Sequence, residues 1–296
     1  MKNRRASLPA IPYVGWMAIF VVAPLVLIVV YAFTGNSGVF TTENFSHMGD
    51  YVGVFARSMW LALIATVICL LVGYPLAYAI SKERPSVQRV MMMLIMLPMW
   101  MNFLLRTYAW MSILENTGLL NHLFAKIGLI SLVNHTNGFL NGALGSALPT
   151  NLSYFKMINT EGAVVLGMVY NFLPFMVLPI HSVIVKIDRR VVEAAQDLGA
   201  DGRTTFRRVI FPLSLPGVLS GVTMVFVPAV STFVISKLLG GGGNMLLGDL
   251  IEMQFLGTAY NPHLGSAISL LMMIIVMICM AVMNRFGEGE EQAVML

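Results

Sequence analysis

The sequence predicts an all-α membrane protein with six transmembrane helices. Of the 296 residues, 57% are apolar and only 11% are charged, whereas about a quarter of the residues in soluble domains carry a charge. The apolar residues are concentrated in six runs of about twenty or more residues, the length at which a helix crosses a bilayer. This composition and pattern exclude a water-soluble fold.

The six runs define the predicted spans. We place them at residues 11–33, 58–80, 90–114, 162–185, 209–236 and 264–284, within one membrane domain over residues 11–285. The chain outside this domain is predicted to form an N-terminal segment (1–10) and an acidic tail (286–296). The first run follows Lys2, Arg4 and Arg5, as in a secretory signal, but its length and the lack of a cleavage site predict a retained span.

The distribution of Lys and Arg predicts the orientation. With the N-terminus inside, thirteen of the 18 Lys and Arg residues lie in cytoplasmic segments, as the positive-inside rule requires. Both termini and the segment 186–212 are therefore expected in the cytoplasm. The basic residues form short clusters between apolar runs, so we interpret them as topology signals and expect no nucleic acid partner. Cys69 and Cys279 lie within apolar runs, where a buried apolar role is expected rather than metal or redox chemistry.

The segment between the fourth and fifth spans predicts two short helices. Asp188 can cap the first helix, which Gly199 can end because glycine tolerates a left-handed backbone. Apolar side chains recur at helical spacing between them, at Val191, Val192, Ala195 and Leu198. Asp201 or Thr204 can start a second helix, expected to run to Pro212. The first helix is therefore expected to be amphipathic.

This first helix has the features of a docking element. Ala194 and Ala195 leave little side-chain bulk, which suits insertion into a groove of a partner, and Glu193 offers a charge to a basic partner. On composition alone, a charged loop whose arginines set the topology is an equal alternative. A resemblance to a known family motif, described next, favours docking.

The segment resembles the EAA motif of ABC importer permeases. That motif consists of Glu-Ala-Ala, three residues, Gly, nine residues, an aliphatic residue, one further residue, an apolar residue and Pro. The matching positions are Glu193, Ala194, Ala195, Gly199, Val209, Phe211 and Pro212. Val209 and Phe211 stand where Ile and Leu are usual, and both remain apolar.

The resemblance implies a type I ABC importer permease bundle in a bacterial cytoplasmic membrane. The first helix would be the coupling helix, with Glu193, Ala194, Ala195, Gly199 and Pro212 as the residues that couple it to an ATPase. The implied partners are a dimer of ATP-binding subunits, a second homologous permease, an extracytoplasmic substrate-binding protein and the bilayer. The glycine run at 240–243 lacks the Lys-Ser/Thr ending of a P-loop. We therefore expect a transport subunit, not an enzyme, with no cofactor of its own and ATP hydrolysed by the partner.

Further stretches are similar to the permeases of spermidine/putrescine importers, specifically the first of their two membrane subunits. These stretches are residues 105–110, 167–170, 173–176, 239–244 and 254–256. Polyamines are polycations, so their path should offer carboxylates or aromatic faces. The candidates for the path or a gate are Tyr170, Phe233, Lys237, Asp249 and Glu252.

Two readings of the charged candidates stay open, as does the nature of the cargo. Lys237 and Glu252 are predicted to pair across the glycine run as part of an outer gate, and two solvated loop charges are the alternative. Arg106, within the third span, is expected to snorkel to the outer interface or to serve function. Other permeases of this class carry ferric iron, thiamine, phosphonate or amino acids. An ion-coupled carrier or channel would require repeats or intramembrane carboxylates, which the sequence does not show.

Overall fold

The computed structural model describes residues 11–35, 38–144, 149–257 and 259–294, and helices dominate all four stretches. In the first part of the chain the helices are α1 (Ile11–Met17), α2 (Ala23–Ala32), α3 (Glu43–Ser46), α4 (Val52–Ser81), α5 (Pro85–Trp100), α6 (Phe103–Leu114), α7 (Leu119–Lys126) and α8 (Leu129–Leu144). They are followed by α9 (Glu161–Ile184), α10 (Arg189–Asp197), α11 (Gly202–Thr205), α12 (Phe211–Ser231), α13 (Val234–Leu239), α14 (Leu247–Leu256) and α15 (Pro262–Val294). The predicted N-terminal segment 1–10 and the last residues of the tail, 295–296, lie outside the described residues.

The helices confirm the predicted all-α membrane fold. Among the described residues, five helices are long and apolar enough to cross a bilayer: Pro12–Ala32, Glu43–Ser81, Glu161–Ile184, Gly202–Ser231 and Pro262–Met283. A sixth span is formed if Pro85–Trp100 and Phe103–Lys126, which are bent by 89° at their junction, are counted together.

The third predicted span, 90–114, is not one straight helix. Met101 and Asn102 have extended backbone between α5 and α6. The Asn102 side chain accepts hydrogen bonds from the backbone N–H groups of Leu104 (2.9 Å) and Leu105 (3.3 Å), so it caps a new helix. Pro98, inside the last turn of α5, cannot donate a helical hydrogen bond and weakens that turn. The break therefore has a local cause.

The fifth predicted span, 209–236, differs at both ends. The helix expected to stop at Pro212 continues through it, because a π turn at Phe206–Ile210 joins α11 to α12. Proline has no N–H for the carbonyl four residues before it, and its ring crowds that carbonyl. The wider π turn makes room for both the ring and the carbonyl. At the other end, α12 stops at Ser231 and Thr232 has extended backbone before α13. The last part of the coupling segment, from Gly202 onward, and this span thus form one helical rod, Gly202–Ser231.

The centre of the bundle is formed by α4, α9 and α12, which pack on one another. At Gly217 of α12, an added Cβ atom would lie 2.9 Å from the carbonyl oxygen of Pro179 and 3.1 Å from the Cα atom of Ile180 in α9. Without glycine at this position, the two backbones would be forced apart. In lipid the hydrophobic effect does not drive helices together, so van der Waals contact between closely packed backbones drives their association.

Helices α7 and α8 hold the chain that leads into α9. The Asn121 side chain exchanges two hydrogen bonds with the backbone of Phe155 (3.0 and 2.8 Å). Asn134 does the same with Leu152 (3.0 and 2.9 Å). The described part of the connection between α6 and α9 thus contains two helices, α7 and α8, whose side chains bind the backbone just before α9.

Candidate functional site

Helix α10 lies at one end of the bundle, which we call the coupling end, and its own residues cap it. Asp188 accepts a hydrogen bond from the backbone N–H of Arg190 (2.9 Å). Gly199 has the left-handed backbone (φ 83°) that the sequence predicted. Its N–H donates to the carbonyl of Gln196 (2.8 Å), and the N–H of Ala200 donates to that of Ala195 (3.0 Å). This is the Schellman arrangement, which satisfies the last carbonyls of a helix.

The next helix is capped in the same way and continues into the core. Asp201 accepts a hydrogen bond from the backbone N–H of Thr204 (3.0 Å). The hydrogen bonds from Thr204 lower the pKa of the Asp201 carboxyl group. In the π turn that follows, the Phe206 ring lies edge-on to Tyr78 of α4, with centroids 4.9 Å apart. The second helix is therefore continuous with α12 and contacts α4 through Phe206.

One face of α10 lines a groove in the chain itself. This groove, of about 660 Å³, lies between α10 and the turn from α4 to α5. The side chains of α10 that line it are spaced as one helical face, at Arg189, Val192, Glu193 and Gln196. Glu193 thus lines the same groove as Lys82 and Glu83 of the turn, and it is also exposed. The predicted coupling carboxylate, Glu193, therefore lies on the face of α10 that lines this groove.

The opposite face of α10 is apolar and uncovered in this chain. Val191, Ala194 and Leu198 lie on it, and Leu198 is 89% exposed. We predicted the apolar periodicity but did not include Leu198 among the contact residues. The signal was present, because Leu198 belongs to that periodicity and directly precedes the glycine that ends the helix. An exposed apolar face of this kind is a candidate docking surface for another protein.

At the far end of the bundle, three of the predicted path residues come together. The Lys237 ammonium of α13 contacts both carboxylate oxygens of Glu252 in α14, at 2.8 and 2.9 Å. Asp249, one turn before Glu252, lines the same cavity of about 340 Å³. The hydrogen bonds to Glu252 raise the pKa of Lys237. Burial raises the pKa of the Asp249 carboxyl group.

The glycine run before α14 is fastened to the start of α4. Arg57 donates a hydrogen bond from Nη1 to the carbonyl of Gly243 (3.2 Å), and its Nε lies 3.4 Å from the Glu161 carboxylate. The backbone N–H of Leu247 donates to the Ser58 hydroxyl (2.8 Å). The cavity wall is therefore tied to α4 and, through Glu161, to α9.

The two aromatic candidates lie elsewhere. The Tyr170 ring is edge-on to Trp110, with centroids 5.3 Å apart, and Phe233 precedes α13 with a half-exposed side chain. Neither residue lines the cavity with Lys237 and Glu252. The structure therefore unites the charged candidates and separates the aromatic ones from them.

One of our expectations was that Arg106 snorkels to the outer interface. The structure instead buries this residue. It is only 8% exposed and lies over the Phe103 ring, with Cζ 5.9 Å from the centroid. Its Nε and Nη1 atoms have no hydrogen-bond partner among the described residues. The prediction of a snorkelling Arg106 is wrong because α6, after the bend, turns this side chain into the protein. In the described part of the chain, no group of three His, Cys, Asp or Glu side chains could hold a metal ion.

Known proteins share both the sequence and the fold. The chain is 34% identical over 282 residues to the spermidine/putrescine transport system permease protein PotB of Haemophilus influenzae, covering 93% of this chain and 91% of that protein. It is 35% identical over 270 residues to PotB of Escherichia coli, covering 88% and 90%. A bacterial ABC transporter involved in the import of the acidic polysaccharide alginate superposes with a TM-score of 0.74 over 94% of this chain and 92% of that one, at 13% identity.

The family comparison covers the coupling segment as well. The profile of the binding-protein-dependent transport system inner membrane component matches residues 69–288, a range that contains α10, α11 and the far-end cavity. Together with the two relatives and the shared fold, this match establishes that the chain belongs to the family of binding-protein-dependent transport system inner membrane components, the permease subunits of ABC importers.

Proposed function

We propose that this chain is the first membrane permease subunit of an importer for spermidine and putrescine. One observation carries the proposal: identity of 34% to 35% over about nine tenths of the chain with two permeases named for this transport. The chemistry of the far-end cavity agrees with it, because two carboxylates in one cavity suit a cargo with several ammonium groups.

The drive for transport comes from a separate ATPase that docks on α10. Leu198, Val191 and the small side chain of Ala194 supply an apolar contact surface, and the capped ends keep the helix rigid. Since α11 and α12 form one rod, closure of the ATPase moves α12 and, through Phe206, α4. A ligand that favours one ATPase state then biases the membrane bundle toward one of its own states.

The assembly includes further partners, each with its own place. We propose that both termini and the coupling end face the cytoplasm, where a dimer of ATP-binding subunits hydrolyses ATP, so that this chain needs no cofactor. A second, homologous permease completes the path, and an extracytoplasmic binding protein delivers the cargo at the far end. No nucleic acid is involved.

Lys237 and Glu252 form part of an outer gate in this proposal. Their contact joins α13 to α14 and so helps to hold the far end closed. The charge reversals Lys237→Glu and Glu252→Lys should each lower transport, and the double reversal should restore it. An unrestored double variant that still assembles with its partners would refute the gate.

Uptake by the complete complex tests the function as a whole. The chain is purified with its partners, reconstituted in liposomes and supplied with ATP, and uptake of spermidine, putrescine and ferric iron is compared. We expect ATP-dependent uptake of both polyamines and none of iron, and loss of uptake for Glu193→Arg. Iron uptake without polyamine uptake would overturn the cargo, and normal uptake by Glu193→Arg would argue against the coupling role.

A further inference from the structure

We propose that Glu252 binds a primary ammonium group of the cargo, and that Lys237 occupies this place as a tethered substitute until the cargo displaces it. The inference rests on the proposed polyamine cargo and adds to it a residue that binds and a residue that competes. The evidence lies in the geometry of the pair, the shape of the cavity and its charge.

The first argument is chemical identity. A lysine side chain is a primary ammonium on a flexible four-carbon stem with three hydrogen-bond donors. The end of a polyamine is the same group on an alkyl chain. Glu252 holds the Lys237 ammonium with both carboxylate oxygens, at 2.8 and 2.9 Å. The structure thus shows this carboxylate already binding an alkylammonium ion.

The second argument is the arrangement of the pair in its cavity. The Lys237 side chain is 60% exposed and the Glu252 side chain 25%, so the ammonium lies on the open side and the carboxylate further in. Lysine can therefore leave without opening the fold. The rest of the lining includes Met245, Met253 and Leu256, whose apolar side chains suit the methylene chain of a polyamine.

The third argument is charge. Lys237, Asp249 and Glu252 together carry one net negative charge, which becomes two when the lysine swings out, a better match for a dication. Oδ2 of Asp249 accepts a hydrogen bond from the backbone N–H of Leu246 (2.8 Å), which holds this carboxylate at the cavity wall. The cavity thus has a second carboxylate in its lining, besides the one that binds Lys237.

Exchange of one ammonium for another fits a transport path. The cargo would form the same two hydrogen bonds that the lysine gives up, and the lysine would regain water. Neither state gains a large advantage, and a path requires sites that cargo can both enter and leave. The same lysine disfavours cargo that lacks an ammonium group able to replace it, and so contributes to selection.

Direct binding of spermidine to the complex, without the binding protein, tests the exchange. Labelled spermidine is titrated by equilibrium dialysis against the complex in nanodiscs, with Lys237→Met, Glu252→Gln and, as a matched control, Lys126→Met on α7. We expect Lys237→Met to tighten binding about fivefold, since one competing charge pair is removed. Glu252→Gln should abolish saturable binding, and Lys126→Met should leave it unchanged. Equal affinity of Lys237→Met and the unaltered complex would overturn the proposal, as would saturable binding to Glu252→Gln.

A chemical modification at position 237 distinguishes the effect of a hydrogen-bonding ammonium group from that of positive charge alone. In a chain with Cys69→Ser and Cys279→Ser, Lys237→Cys is coupled through a disulfide to an aminoethyl or a trimethylammonioethyl group. The aminoethyl group should return the affinity for spermidine toward that of lysine, and the trimethylammonioethyl group, which has no N–H donor, should do so less. Equal effects of the two groups would contradict displacement of a hydrogen-bonded ammonium.

Uptake by the unaltered complex, measured in parallel, distinguishes failure of the lysine exchange from failure of the proposed cargo. If it imports spermidine but the variants bind spermidine alike, the exchange is wrong and the proposed cargo stands. If it imports another cargo and not spermidine, the proposed function fails and the exchange fails with it.

Discussion

The two ends of the bundle are built in opposite ways. The coupling end is local: Asp188, Gly199 and Asp201 cap and end helices through hydrogen bonds to residues at most five positions away. The far end is assembled from distant parts, since Arg57 reaches Gly243 across 186 positions and Ser58 reaches Leu247 across 189. The proposed docking element can therefore be local, whereas the proposed gate must join the helices that it holds together.

The comparison predicts the largest loss of transport at the coupling end. Leu198→Asp places a charge on the exposed apolar face of α10, and loss of a central contact residue costs about 2 kcal/mol or more of binding, roughly thirtyfold. Folding should be unaffected, because the side chain is 89% exposed. ATPase copurification and ATP-dependent uptake measure the effect. The control is Leu132→Asp on α8, an exposed leucine at the opposite end, which should retain the ATPase; equal loss in both variants would contradict the surface.

The rod between the two ends should be sensitive to added bulk. In Gly217→Ala the new methyl group meets backbone atoms of α9 at about 3 Å, and overpacking of this kind costs about 1–3 kcal/mol. Gly53→Ala in α4 is the control, since a Cβ atom there has nothing within 4 Å. Thermal unfolding in detergent should show a lower midpoint for Gly217→Ala alone. Equal midpoints would show that α9 and α12 do not depend on this contact.

The end of α10 should respond to a change in backbone preference alone. Gly199 has positive φ and open space around it, so Gly199→Ala costs about 1–2 kcal/mol without a clash. We expect uptake to fall severalfold, with recovery in Gly199→Asn, because asparagine tolerates this conformation. Gly202→Ala, which also has open space but no positive φ, should have no effect. If both alanine variants behave alike, the left-handed turn is not needed for coupling.

The smallest expected effect is a contrast in pH dependence between two aspartates. Burial raises the pKa of the Asp249 carboxyl group in the folded state. The folded state therefore gains stability relative to the unfolded state as pH falls through this raised pKa, and loses it as pH rises. Hydrogen bonds lower the pKa of Asp201, so its contribution is present above the unfolded value and is lost only as pH falls through the lower folded value.

Melting temperatures between about pH 6 and pH 4, just above the ordinary Asp value, measure this contrast. The difference between the unaltered chain and Asp249→Asn should shrink across the window, because the protonated carboxyl group resembles the amide. The difference for Asp201→Asn should stay constant. The reverse pattern would show that the surroundings of the two carboxyl groups are misassigned.

Local signals in the sequence predicted the coupling end well. The caps at Asp188 and Asp201 and the turn at Gly199 each depend on a residue type and its immediate neighbours. The break at Asn102 has a local signal too, a capping residue four positions after Pro98, but the apolar run concealed it. The contact of Arg57 with Gly243 could not be predicted, because nothing in either segment specifies the other before α4, α9 and α12 have packed.

The pairing of Lys237 with Glu252 lies between these cases. The sequence offered two opposite charges on either side of a glycine run, and the structure brings them into contact at 2.8 Å. Their cavity depends on the position of Gly241, whose positive φ turns the chain between α13 and α14.

Crosslinking tests the central claim, that the uncovered face of α10 is where the ATPase docks, most directly. A photoactivatable amino acid is placed at position 198, or at position 132 as a control, and the complex is irradiated in membranes. The account predicts a crosslink from position 198 to the ATP-binding subunit and none to it from position 132. Absence of that crosslink in a complex that still imports spermidine would contradict the account.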